Sequence, residues 1–115
     1  MYAHVYLKFE GSLHDLAVYL RGKLNIPNKN ISQLEQFRYG LNIGGGEYYL
    51  FEFFGLELNL IMNQGEVLEE DYKEYQYYLY IHTELTVEDS IFRNVIQFLF
   101  EILKSDGLVV ETAFY

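Results

Sequence analysis

The chain has no cysteine, no tryptophan and a single proline. Without cysteine it can form no disulfide and no thiolate nucleophile, and a zinc site would lack its usual sulfur ligands. The first ten residues contain no basic start followed by an apolar run of signal-peptide length, and no stretch stays uncharged for the length of a membrane span. These absences predict a cytoplasmic protein without disulfides.

Positive charge is also scarce, and it is unevenly placed. Residues 1–40 carry five Lys or Arg against three acids, residues 41–115 carry three against fourteen, and the formal net charge of the chain is −9. A field of this sign repels phosphate groups, so direct binding to nucleic acid or to an anionic membrane is not expected. It would attract a basic protein, although the same charge could serve solubility alone.

Aromatic residues, in contrast, are abundant. Of the 115 residues, 50% are hydrophobic and 18% are aromatic, with twelve tyrosines and nine phenylalanines. This length and composition predict one domain over residues 1–115 with a proper hydrophobic core. Because a tyrosine hydroxyl is costly to bury without a partner, some of the tyrosines are expected at the surface.

Two segments have the apolar spacing of amphipathic helices. The first follows Ser12, a favourable N-cap residue with Asp15 three positions on, and is expected to end before Asn25-Ile26-Pro27. The second is expected to start after Thr86 as its cap and to end near Gly107. Its expected buried face consists of Val87, Ile91, Val95, Phe98, Leu99 and Ile102, widened almost all round by Phe92, Ile96, Phe100 and Leu103.

Segments in which apolar and polar residues alternate predict the strands. Their order with the helices is β-α-β-β-β-α-β, and the short connections between the middle strands favour antiparallel pairing. We therefore predict an α+β fold, a two-layer sandwich in which a mainly antiparallel sheet of five to six strands carries both helices on one face. The predicted strands cover residues 2–10, 47–54, 56–62, 75–82 and 108–114, with residues 36–41 as the candidate for a sixth.

The same alternation divides the residues of the sheet between two faces. One set is aliphatic and is expected to lie under the helices. The other set is polar and aromatic, and is expected to form an open face that can stand in water but would gain from being covered by a partner. The helix-side set is Ala3, Val5, Leu7, Phe9, Leu79 and Ile81, and the open-face set is Tyr2, His4, Tyr6, Glu57, Asn59, Tyr78, Tyr80 and His82.

No motif in the sequence predicts catalysis. Gly44-Gly45-Gly46 is followed by Glu47 rather than by the Lys-Ser/Thr of a phosphate loop, so a connection between strands is the better interpretation. The three histidines lack metal-ligand spacing, and no Gly-x-Ser-x-Gly occurs. Pairs of carboxylates such as Glu52 and Glu57 are expected by chance among seventeen acids, and a small-molecule enzyme of this fold stays an alternative. We predict no catalytic residues, no metal site and no cofactor.

The strongest functional candidate is an acidic segment that leads into a run of tyrosines, at residues 66–80. Carboxylates form bidentate pairs with arginine, and tyrosine offers a large contact area at a low cost in entropy, which together suit the binding of a basic protein. The alternative is a solvated loop followed by a core strand with half-buried tyrosines. The predicted partner-binding residues are Glu57, Glu66, Glu69, Glu70, Asp71, Tyr72, Glu74, Tyr75, Tyr78 and Tyr80.

Four runs of residues give the chain a resemblance to a known family. They are NIGGGEYY at 42–49, FGLELNL at 54–60, NQGEV at 63–67 and YQYYLYI at 75–81. In these runs the chain resembles immunity proteins of bacterial contact-dependent growth inhibition and other polymorphic toxin systems. The resemblance implies a small cytoplasmic protein that binds the C-terminal domain of its cognate toxin, often a basic nuclease, and blocks its active site or its access to substrate. It implies no catalytic residues, and no contact residue is carried over by position.

Two hypotheses of function follow. In the first, the acidic surface occupies the groove in which a toxin nuclease holds phosphates, and tyrosines supply the desolvated anchors. In the second, the protein is a structural homo-oligomer, such as a homodimer, that buries either the Tyr/His face of the sheet or the broad apolar helix at residues 86–105 against its copy.

Overall fold

The described part of the chain folds into six strands and two helices in the order β-α-β-β-β-β-α-β. The computed structural model describes residues 2–26, 37–43, 46–53, 55–83 and 88–115. Two short 3-10 turns, Gly65–Val67 and Glu70–Tyr72, lie in the connection before the fifth strand. The elements are β1 (Tyr2–Lys8), α1 (Leu13–Lys23), β2 (Phe37–Ile43), β3 (Gly46–Phe53), β4 (Leu56–Met62), β5 (Tyr77–His82), α2 (Asp89–Ser105) and β6 (Val109–Phe114).

The strands form one sheet in the order β2-β3-β4-β5-β1-β6, in which every neighbouring pair is antiparallel. The predicted α+β fold is confirmed. The candidate sixth strand near residue 38 is the edge strand β2. Gly55, with a φ of 75°, makes the tight turn between β3 and β4, which only a glycine adopts at little cost. The first strand of the chain lies inside the sheet, between β5 and β6, where five of its seven residues are buried.

Both helices pack on the same face of the sheet, as predicted. α1 lies over β3 and β4, and α2 lies beside β6. Alternation along the strands turns a mainly aliphatic set of side chains to this face, so that burial there leaves few polar groups to satisfy. The core between the two layers includes Ala3, Val5, Leu7, Leu58, Leu60, Leu79 and Ile81 from the sheet, with Leu16, Leu20, Phe92, Ile96 and Leu99 from the helices.

The ends of α1 agree with the prediction. The Ser12 hydroxyl accepts a hydrogen bond from the backbone N–H of Asp15 at 3.1 Å, which satisfies one of the donors that the first turn leaves free. The helix ends at Lys23, and Asn25 then takes the left-handed conformation with a φ of 57°. Lys23 also forms an ion pair of 2.9 Å with Asp106, the residue that follows α2, so the C-terminal ends of the two helices are tied together.

The start of α2 differs from the prediction. The helix begins at Asp89, and its N-cap residue is Glu88, whose side chain makes no capping hydrogen bond. Thr86, the predicted cap, lies outside the described residues. The carboxylates of Glu88 and Asp89 are nevertheless favourable at this end, because the first turn of a helix carries partial positive charge.

The buried face of α2 is also not the predicted one. Ile91 and Phe98 are expected from the spacing to be covered, but they are 52% and 59% exposed. A helix that is apolar almost all round has no single face that periodicity can select, so its position beside β6 decides which stripe is covered. The covered stripe is Phe92, Ile96, Leu99 and Leu103.

Candidate partner-binding surface

The connection between β4 and β5, residues 63–76, folds back across the second face of the sheet. Asn63 holds it there with its side-chain amide, which donates to the carbonyl oxygens of Tyr72 and Tyr75 at 3.0 Å each. Its Oδ1 accepts from the backbone N–H of Glu69 at 2.8 Å. Asn63 is buried, and of its three hydrogen bonds the one to Tyr75 is buried and the other two are partly buried. Together they hold the connection, hereafter the acidic segment, in one arrangement.

Tyrosine side chains fill the space between the acidic segment and the sheet. The ring of Tyr72 stacks on that of Tyr6, with centroids 3.9 Å apart and planes inclined by 9°. The Tyr78 hydroxyl donates to the Val67 carbonyl at 2.8 Å. A second core results on this face. It consists of Tyr6, Ile61, Tyr75 and Tyr78, against which Tyr48, Val67, Tyr72, Tyr80 and Ala113 pack.

The prediction that this face of the sheet is open is therefore wrong for part of its area. His4, Tyr6 and Tyr78 are only 5%, 0% and 3% exposed. Tyr2 and Tyr80 keep part of their surface. The physical reason is that a phenol ring has a large apolar body, so covering a layer of rings with the chain's own connection is favourable once the hydroxyls have partners.

The structure separates the predicted partner-binding residues by burial. Tyr75 and Tyr78 lie inside the second core, so the surface role expected for their rings does not fit their positions. The remaining candidates keep contact with solvent, and four of them, hereafter the exposed acids, are exposed. The exposed acids are Glu66, Glu70, Asp71 and Glu74, and the half-buried candidates are Glu57, Glu69, Tyr72 and Tyr80.

The exposed acids have no neutralising partner within the part of the chain that the structure describes. No lysine or arginine there lies within ion-pair distance of them. Glu69 is 3.8 Å from Nδ1 of His4. Glu57 lies apart from the segment, on β4, where its Oε2 is 3.0 Å from Nε2 of His82. The acidic segment thus turns its negative charge to solvent and its rings to the sheet.

A concavity of about 540 Å³, hereafter the tyrosine cavity, lies between the acidic segment and the uncovered part of this sheet face. Strand register builds its floor, because Asn59 of β4 lies opposite Tyr80 of β5, which in turn lies opposite His4 of β1. The lining consists of Tyr2, His4, Asn59, Ile61, Tyr78 and Tyr80 from the strands, with Glu66, Val67 and Glu69 from the acidic segment.

Aromatic rings lie close together at the floor of the tyrosine cavity. The ring centroid of Tyr2 is 5.5 Å from that of Tyr80 and 5.1 Å from that of Tyr115, whose plane is nearly parallel at 12°. The His4 ring is 5.4 Å from Tyr80. The sequence places Tyr2 and His4 on this face but does not predict them as site residues. Tyr115, which lies outside the lining and stacks on Tyr2, is not predicted on this face. The signal was the alternation of β6, which continues past Ala113 onto the same face.

Burial sets the protonation of the groups at the floor. It lowers the pKa of His4 to about 4, so the imidazole is neutral at pH 7, and its Nδ1 is hydrogen-bonded to the Tyr6 hydroxyl at 2.8 Å. Burial also raises the pKa of Tyr78 to about 12, and the charge of Glu69 adds to this effect. The formal charges that line the cavity at neutral pH are therefore the carboxylates of Glu66 and Glu69.

The chemistry available at this surface is that of carboxylates, phenol rings, an amide and a neutral imidazole. Over the described ranges, no three His, Asp or Glu side chains lie close enough to share a metal ion. None of the helices in those ranges is both long and apolar enough to cross a membrane.

Comparison with known proteins adds no relative to this description. Neither the family models, nor the curated proteins, nor the solved structures gave a match to the chain. The resemblance to immunity proteins therefore stays a prediction that rests on the four runs of residues between positions 42 and 81.

Proposed function

We propose that this protein binds and neutralises a basic protein, namely the toxic C-terminal domain of a polymorphic toxin of the kind that the sequence resemblance implies, within the cytoplasm. The observation that carries the proposal is the acidic segment, which presents the four exposed acids within residues 66–74 on a backbone held by Asn63. No residue is assigned a catalytic role.

A basic partner is the occupant that this surface favours on electrostatic grounds. Neighbouring carboxylates repel one another, and cationic side chains opposite them would relieve that repulsion while attracting the partner over a distance. Because hydrogen bonds order the acidic segment in the free protein, little conformational entropy remains to be lost on association. The charges should therefore act mainly on the association rate.

Neutralisation would follow from where such a partner keeps its positive charge. A nuclease holds the phosphates of its substrate with clustered Lys and Arg side chains. Carboxylates pair with the same side chains, often in a bidentate manner, so the acidic segment would compete with substrate for that groove. Half-buried Tyr72, within the segment, and half-buried Tyr80, beside it, keep surface for contact. Loss of an interface anchor of this kind costs about 2 kcal/mol or more.

The test uses a large secreted protein encoded next to the gene of this chain, if its C-terminal domain is basic. We expect that domain to co-purify with this protein and to lose its toxicity when the two are co-expressed. In stopped-flow mixing at low salt, neutralising the exposed acids should slow association about tenfold, while an equal loss of charge elsewhere should change it much less. The test variant is E66Q/E70Q/D71N/E74Q, and the matched control is E10Q/E47Q/E88Q/E101Q. Equal association rates for the two variants would refute the assignment of this surface.

The outer side of α2 favours a second candidate function, assembly into a homo-oligomer. Ile91 and Phe98 are exposed, and Val95 and Ile102 between and after them are half-buried, all at the spacing of one helical stripe. A copy of the same helix could cover this stripe. Sedimentation of the wild-type chain beside an I91S/F98S variant tests the candidate. We expect a dimer that the variant converts to monomer, and a wild-type monomer at high concentration would exclude it.

A further inference from the structure

The tyrosine cavity has a feature that the proposed contact with the exposed acids does not use. The side chain of Asn59 lies at its floor, and the residue is only 9% exposed. Its side chain makes no hydrogen bond to any residue that the structure describes. Its amide atoms are not among the fully enclosed atoms of the described residues, so they reach the concavity. An amide without a protein partner, held in a nearly buried side chain and open to a concavity, is available to a polar ligand.

The rest of the lining decides the charge of that ligand. The carboxylates of Glu66 and Glu69 form the wall, and the neutral imidazole of His4 contributes no opposing charge at pH 7. An anion would be repelled, and an apolar group would strip water from two carboxylates without pairing them. A cation satisfies both carboxylates and the amide oxygen of Asn59 at once.

The rings at the floor favour the same sign of charge. The face of a phenol ring is negative and attracts a cation within about 6 Å of its centroid. This face of the sheet already binds one in this way, because Nζ of Lys8 lies 5.2 Å from the ring centroid of Tyr75. Tyr2 and Tyr80 keep part of their surface at the tyrosine cavity and can do the same for an incoming group.

We propose that the tyrosine cavity is a receptor for an arginine side chain, which places its guanidinium against Tyr80 and Tyr2 and between the carboxylates of Glu66 and Glu69. One guanidinium N–H donates a hydrogen bond to Oδ1 of Asn59. Arginine fits better than lysine because its planar group stacks on a ring and pairs with carboxylates through two parallel hydrogen bonds. The concavity of about 540 Å³ has room for one arginine side chain. That the arginine belongs to a protein rests on the proposed function, whereas the preference of the cavity for guanidinium does not.

A titration with model compounds tests the cavity without any partner protein. The probes are N-acetyl-arginine methylamide, the corresponding lysine compound and the citrulline compound, which has nearly the shape of arginine but no charge. We expect saturable NMR shifts of the Asn59 side-chain amide and of the Tyr80 ring with arginine, and binding at least about tenfold weaker with citrulline. Equal responses to arginine and citrulline, or no saturable shift with arginine, would overturn the proposal.

Variants then separate the cavity from the general acidity of the segment. E66Q/E69Q should weaken arginine binding about tenfold, and Y80L should weaken it severalfold by removing a ring face at similar volume. E70Q/E74Q, which removes the same charge from the same segment outside the cavity, should leave it nearly unchanged. A loss of binding equal to that of E66Q/E69Q in this control would contradict the inference. Circular dichroism of each variant checks its fold, and if Y80L unfolds, the comparison of arginine with citrulline on the wild-type chain is decisive.

The two proposals fail in different ways. If arginine binds at the cavity but no basic toxin domain does, the cavity is a guanidinium site and the proposed function is wrong. If a toxin domain binds the wild-type chain and associates more slowly with E66Q/E70Q/D71N/E74Q, but arginine gives no saturable shift, the proposed function survives and the arginine site is wrong.

Discussion

The two faces of the sheet are covered by different means. On the helix face, two helices supply aliphatic side chains, and residues such as Leu79 and Ile96 are 0% exposed. On the second face, hereafter the tyrosine face, the acidic segment covers part of the sheet. Its position depends on hydrogen bonds from the side chain of Asn63 and from the Tyr78 hydroxyl. Packing on the helix face requires only that the volumes of the aliphatic side chains match. The cover on the other face leaves acids and parts of tyrosine rings exposed to solvent. The helix side thus holds most of the aliphatic core, while the other side holds the exposed acids.

The largest effect is expected on the helix face. Leu79→Ala removes a fully buried side chain from the middle of the sheet and leaves a cavity that the flanking helices cannot close, so it should lower the free energy of unfolding by about 2–5 kcal/mol. Urea denaturation measures this. Val18→Ala on the exposed side of α1 is the control and should change little. A loss for Leu79→Ala no greater than that of the control would break the comparison between the faces.

A smaller effect is expected where one side chain holds the acidic segment. Asn63→Ala leaves the carbonyl groups of Tyr72 and Tyr75 and the N–H of Glu69 without their partner, which should cost about 1–3 kcal/mol. Hydrogen exchange should accelerate in residues 64–76 more than in the helices. Asn94→Ala, at an exposed position of α2, is the control. Uniform acceleration over the whole chain in the Asn63 variant would show that the segment is not a separate unit.

The tyrosine face should also make stability depend on pH. The pKa of His4 is lowered to about 4 by burial, while in the unfolded chain it is about 6.5. The unfolded chain therefore takes up a proton first as the pH falls, so the free energy of unfolding should decrease by roughly 1–2 kcal/mol from pH 7 to pH 5. Thermal denaturation across this range measures the slope. His4→Gln should flatten it, and an unchanged slope in that variant would assign the effect to other groups.

The smallest effect concerns the stacked pair at the edge of the second core. Tyr72→Ala removes a half-buried ring from its stack on Tyr6 and should cost about 1–2 kcal/mol. Tyr72→Phe keeps the ring, and because its hydroxyl makes no hydrogen bond in the described part of the chain, the change should be below about 0.5 kcal/mol. Chemical denaturation distinguishes the two variants. A large loss for the phenylalanine variant would mean that the hydroxyl, not the stack, stabilises this face.

Local patterns predict much of the fold and part of the candidate site. Alternation places Ala3, Val5 and Leu7 on the helix side of β1, and Ser12 marks the start of α1, because both features depend on residues close in the sequence. The exposure of Glu66 and Glu70 also follows from the cost of burying a charge.

The cover over the tyrosine face could not be predicted in this way. An acid-rich connection has the composition of a solvated loop, and nothing near residue 72 in the sequence indicates a stack on Tyr6. In the sequence, Asn63-Gln64-Gly65 indicates only a turn, and nothing there predicts the three hydrogen bonds that Asn63 makes. The stack joins two residues that are far apart in the sequence, and the hydrogen bonds of Asn63, to residues 6 to 12 positions away, depend on how the whole connection folds.

Periodicity along the chain predicts an antiparallel sheet under two helices, because the strand and helix periods are local properties of the sequence. The surplus of acid on one stretch can be read directly from the sequence, and its exposure follows from the cost of removing charge from water. Only tertiary packing decided which stripe of α2 is buried and that Tyr75 and Tyr78 turn inward. It also decided that Asn59, Tyr80 and Glu69 line one cavity. These outcomes depend on the register between strands and on contacts between residues far apart in the chain, and no local pattern carries that information.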